Sequence, residues 1–92
     1  MAHWRYPAEL LDALERFGLK PAPHTPPRLV RDQLSDLYRF EIRRLRGRLL
    51  AGEFPKAEYS GRVIALRKQY WPLSATPEQW EGICAPNDSN DQ

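Results

Sequence analysis

Catalysis needs a nucleophile, a proton carrier or a ligand set, and few residues of this chain qualify. The soft ligands and nucleophiles are His3, His24 and Cys84, which fall in three separate irregular segments. None has the close paired spacing of a zinc site. A Cys–His couple would require the segment after Cys84 to dock, and no pattern in the sequence calls for that. Glu9, Asp12 and Glu15 recur at helical spacing and read as an ordinary acidic face. Gly52 and Gly61 belong to no phosphate-cradling loop. These residues predict no catalytic site, no metal and no cofactor.

The group in excess is the guanidinium. Arginine outnumbers lysine eleven to three, and seven arginines lie between Arg28 and Arg48. A planar guanidinium presents a fork of donors that fits carboxylates and phosphates alike. Charge is also unevenly distributed. Residues 1–25 carry three basic and three acidic groups, residues 26–71 eleven and five, and residues 72–92 none and four. A basic body is followed by an acidic tail that could fold back and mask it.

An arginine-rich face has three readings: a solvated helix face with cations toward the negative end of the helix dipole, a docking surface for an acidic protein, or a phosphate-binding stripe. On a helix with about 100° between successive side chains, Arg28, Arg39, Arg43 and Arg46 project together, opposite the apolar stripe. Phe40 lies beside them. Arginine next to a large aromatic is the composition of interface hot spots, so Arg39, Phe40, Arg43 and Arg46 are the expected partner-binding residues. The alternative is nucleic acid, read by the same stripe with Arg28, Arg67, Lys68 and the rings of Tyr70 and Trp71, since bases stack on aromatics interleaved with cations. A sequence pI of 8.9 and the lack of a recognisable reader motif weigh against that alternative. Arg31, Glu41, Arg44 and Arg48 lie on or beside the apolar arc and are expected to form an edge ion-pair cluster, with arginine stems covering apolar surface.

The elements that must position these groups are helical. Pro7 to Phe17 forms a first helix with Leu10, Leu14 and Phe17 on one face, closed by Gly18. Residues 19–27 contain four prolines and read as a stiff extended connector. Thr25 is the expected N-cap of a second helix running from Pro26 to Ala51, about 39 Å long. Its core stripe is Val30, Leu34, Leu37, Tyr38, Ile42, Leu45 and Leu49, whereas Leu29, Phe40 and Leu50 fall outside it and form an outward apolar patch. Gly52 and Pro55 turn the chain into a third helix ending near Tyr70, with Tyr59, Val63, Leu66 and Tyr70 facing the second. Thr76-Pro77-Glu78-Gln79 is a capping box that starts a short helical turn carrying Trp80.

The expected fold is therefore all-α: a small three-helix domain over residues 1–84, built on a long antiparallel hairpin, followed by a disordered acidic tail over residues 85–92. β-branched residues are few, no apolar run approaches the roughly 18 residues of a membrane helix, and the N-terminus predicts no secretory leader. One cysteine excludes an internal disulfide and fits a reducing compartment. The expected function is that of a non-catalytic cytoplasmic accessory or assembly protein. It would bind a larger acidic protein, or itself as a homo-oligomer.

Overall fold

The computed structural model describes residues 3–85. Four α-helices follow one another: α1 (Ala8–Glu15), α2 (Pro27–Leu50), α3 (Tyr59–Gln69) and α4 (Pro77–Ile83). Two 3-10 turns, Lys56–Glu58 and Trp71–Ser74, lead into α3 and α4. Among the described residues there is no β-strand, so the all-α expectation is met. The turn expected around Trp80 is a full fourth helix. Of the tail expected to be disordered, residues 86–92 lie outside the described residues.

The local signals that start and stop these helices act largely as anticipated. Gly18 and Gly52 hold φ of 78° and 77°, the left-handed conformation that closes α1 and α2 and that side chains with a Cβ resist. Thr76 accepts from the Gln79 amide at 3.1 Å, while the Gln79 side chain accepts from the Thr76 amide at 2.7 Å, completing the capping box of α4. Thr25 behaves differently. The N-cap of α2 is Pro26, with Pro27 as the first helical residue. Thr25 instead ties down the connector, its hydroxyl accepting from the Ala22 amide and its carbonyl from the Tyr6 hydroxyl at 2.6 Å. The Trp4 amide donates to the Pro23 carbonyl at 2.6 Å. The proline-rich segment is thus bound by the N-terminal strand-like residues that precede α1.

The core gathers at one end of α2. Leu10 and Leu14 of α1, Val30 and Leu34 of α2, and Trp80 and Cys84 around α4 are joined there by Tyr6 and Tyr70. Trp80 is 1% exposed and donates its indole N–H to the Pro72 carbonyl at 2.8 Å, so its one polar atom is satisfied. Tyr70 stacks on Phe17, ring centres 4.2 Å apart, and meets the edge of Tyr38. Arg31 binds this region without an anion: its Nε donates to the Ala75 carbonyl at 2.9 Å and its Nη2 to the Leu73 carbonyl. Arg28 holds α4 to the first turn of α2 through Glu81 at 2.8 Å and Glu78 at 3.3 Å.

Beyond Tyr38, α2 leaves this core, and only α3 returns along it. The buried residues of that outer part are Leu45 and Phe54, and α3 itself buries none fully. Phe54 lies between two guanidiniums, those of Arg62 at 4.1 Å and Arg48 at 5.7 Å. The molecule is elongated as a result, 58 Å by 19 Å by 16 Å.

Trp80 therefore locks α4 and the Trp71–Ser74 turn onto α2. Trp80→Ala is expected to cost about 3–5 kcal/mol, and Trp80→Phe, which strands the Pro72 carbonyl, about 1–3 kcal/mol. Urea unfolding followed by far-UV circular dichroism measures both. A Trp80→Ala variant as stable as the parent would show that the indole is not the lock.

Candidate interaction face

Beyond its first turn, where Arg28 reaches Glu78 and Glu81 of α4, the side of α2 that faces away from the core is exposed among the described residues. Arg39, Phe40, Arg43 and Arg46 all lie there, exposed. Phe40 is 56% exposed, a large ring in contact with water. Its sequence spacing to Arg43 is one helical turn, the separation at which side chains meet on a helix surface. Arg39 is held only by Asp36, at 3.4 Å between two largely exposed side chains, an interaction of little net strength. Arg43 and Arg46 make no ion pair or hydrogen bond with any described residue, and neither does Arg44 at the edge of the same face. The neighbouring Leu29 and Leu50 are 50% and 78% exposed. Gly47 lies one heptad beyond Phe40, and a Cβ added there would meet nothing within 4 Å.

The residues of the alternative set are not brought together in this way. Tyr70 is 2% exposed, enclosed by Phe17 and Tyr38, so it offers no surface on which a base could stack. The fork of Arg28 is occupied by Glu78 and Glu81. Arg67 and Lys68 are exposed in the last turn of α3. Trp71 is exposed and lines an apolar hollow with Pro7, Leu10 and Ile83. That hollow is about 140 Å³, below the several hundred Å³ of an ordinary ligand pocket.

The expected edge cluster also rearranges. Arg31 turns to backbone carbonyls rather than to Glu41. Glu41 faces the Tyr70 hydroxyl, and Arg48 pairs with Glu53 at 2.9 Å. Arg62 pairs with Glu58, four residues before it and one helical turn away, at 3.1 Å. Arg44, Arg48 and Arg62 line a notch between α2 and α3, but Glu41 lines it too. With Glu53 and Glu58 on Arg48 and Arg62, the notch is balanced in charge. The Arg62 Nε is buried without a hydrogen-bond acceptor. It belongs to the guanidinium stacked on Phe54, where the ring face takes the place of an acceptor.

Titratable chemistry is damped throughout the core. Burial pushes the Cys84 thiol up to about 11, so the nucleophilic thiolate is scarce near neutrality. Burial, and then the charge of Glu41, pushes Tyr70 up to about 12. Tyr6 is raised further, by burial first and by Cys84 second. Among the described residues no three of His, Cys, Asp and Glu are placed to share a metal ion. No helix of the described residues is long and apolar enough to cross a membrane. Comparison with known protein families, curated proteins and solved structures finds no match to this chain.

All three core groups are favoured in their neutral forms by folding, and their folded values lie above their ordinary ones. That stabilisation is complete below about 9 and is lost as pH rises toward about 11 and beyond. Urea midpoints are expected to be level from pH 7 to 8.5 and to fall from about pH 9 upward. The folded thiol is expected to resist a disulfide reagent at pH 8 until urea exposes it. A rapid reaction under native conditions would contradict the burial of Cys84.

Proposed function

We propose that this chain is a non-catalytic cytoplasmic interaction module, an accessory or assembly protein that presents the outer face of α2 to an acidic protein surface. One observation carries the reading. A half-exposed phenylalanine is set among guanidiniums that have nothing to bind within the described residues. Elsewhere the fold uses its arginines: Arg28 on carboxylates, Arg31 on carbonyls, Arg48 and Arg62 on Phe54 and their own glutamates. Arg43 and Arg46 have no such partner among the described residues and can pair with an external anion. Phe40 supplies the apolar anchor that a charge pair in water lacks, since exposed pairs alone contribute little.

The test compares the parent with the double variant Arg43→Glu/Arg46→Glu, both tagged, as baits in native lysate with and without nuclease. Capture of a stoichiometric protein by the parent, insensitive to nuclease and reduced roughly tenfold or more in the variant, is the expected result. Stability should change by no more than about 0.5 kcal/mol, because both side chains are exposed and unpaired. Equal capture by the variant would show that the face is wrong. Partners that vanish with nuclease would transfer it to nucleic acid, with affinity falling steeply in salt.

A further inference from the structure

The outer face of α2 is organised by sign as well as by exposure. Past the first turn, where Arg28 is held by Glu78 and Glu81 of α4, its first half carries acids, Asp32 and Asp36, and its second half carries Arg39, Arg43 and Arg46, all exposed. Two columns at seven-residue intervals run through it: Leu29, Asp36, Arg43 and Leu50 in one, and Gln33, Phe40 and Gly47 in the other, four residues on. That alternation of three and four is the spacing of a two-helix seam. We infer that this face pairs antiparallel with the same face of a second copy of the chain, forming a two-fold symmetric dimer. The inference rests on the preceding reading of the face as an interaction surface, and it names the occupant.

Charge complementarity selects both the partner and the direction. A parallel copy would set acids against acids and arginines against arginines. An antiparallel copy turned about the midpoint between Arg39 and Phe40 brings Asp36 beside Arg43 of the second copy, twice by symmetry. The same turn sets Leu29 beside Leu50 at each end and Phe40 among the Arg39 and Phe40 side chains of the second copy, where a guanidinium can cover the ring. Antiparallel helices also oppose their dipoles. Gly47 leaves open space where a side chain would otherwise hold the second helix away. The Asp36–Arg39 bridge within one chain, 3.4 Å long and largely exposed, gives Asp36 little reason to refuse a partner in trans. Packing over one helix of 24 residues makes a small interface, so micromolar to millimolar association is the appropriate range.

Light scattering on a size-exclusion column and sedimentation equilibrium test this across a micromolar-to-millimolar series of the full chain at low salt. The parent should pass from monomer to dimer. Arg43→Glu, which sets Glu against Asp36, should weaken the dimer roughly tenfold or more. Asp36→Arg/Arg43→Glu, which exchanges the two signs, should restore it to within about threefold of the parent. Circular dichroism confirms that both variants remain helical. A parent monomeric at every concentration overturns the dimer. So does a dimer that the exchanged variant fails to restore, because the pairing would then lie elsewhere. A monomeric parent that still captures a protein through Arg43 and Arg46 would remove the second copy while leaving the interaction face intact. Capture unaffected by Arg43→Glu/Arg46→Glu would remove the face itself.

Discussion

The length of α2 governs the rest of the molecule. A helix of 24 residues is about 36 Å long, and the other described elements do not surround it. The residues outside it are spent on one side: α1, the Trp71–Ser74 turn and α4 on its first half, and α3 on its second. Each of these described elements packs where α2 is apolar, and none packs on the opposite face. An uncovered helix face has to satisfy water, and arginine does so while its carbon stem covers the backbone. The abundance of guanidinium and the thinness of the core thus have a common physical origin.

That origin does not account for every arginine, and the differences among them are informative. Arg31 sits at the border of the core and ends on two carbonyls of the turn that precedes α4. The last carbonyls of a short turn have no partner of their own, so this side chain completes the backbone. Arg62 and Arg48 flank Phe54 and keep a ring buried at the far end of the molecule, where no third element arrives. These are structural uses, each recognisable by a short contact. A solvated face alone would explain Arg43 and Arg46 if their neighbours were polar. Phe40, Leu29 and Leu50 are not, and apolar surface at that exposure is a cost that solvation by arginine does not offset.

The extent to which this was legible in the sequence follows from the range of each interaction. Gly18, Gly52 and the Thr76–Gln79 box act within one turn of backbone, and the sequence displays them completely. The course of α2 is legible for the same reason, since its apolar stripe repeats with the helix. Thr25 was misleading because two competing uses of the residue look alike locally. A prolyl N-cap and the Tyr6 hydroxyl, 19 residues away, decided between them. Tyr70 carries two local signals. The stripe it shares with Tyr59, Val63 and Leu66 turns it toward α2, whereas Arg67, Lys68 and Trp71 beside it have the composition of a stacking platform; Phe17 and Tyr38, from distant segments, enclose it as core. The bidentate grip of Arg31, spanning more than forty residues, had no local signal at all.

The outer face of α2 is the converse case, since what matters there was written locally and lacked only a reason to be read. The seven-residue columns and the change of sign between Asp36 and Arg39 are visible in the sequence, but a helix buried on two sides would give them no meaning. Exposure supplies the meaning. Once α1, α3 and α4 are known to lie on the other side, the same residues form one continuous surface. Past its first turn its acids precede its arginines, and reflection about its centre sets Asp36 against Arg43. A surface of that kind repels its own image in one direction and attracts it in the other. Random solubilising charge would show no such order along the helix. Asp32 and Asp36 on the same face fit a partner whose own charge changes sign along its length, and a second α2 is one such partner.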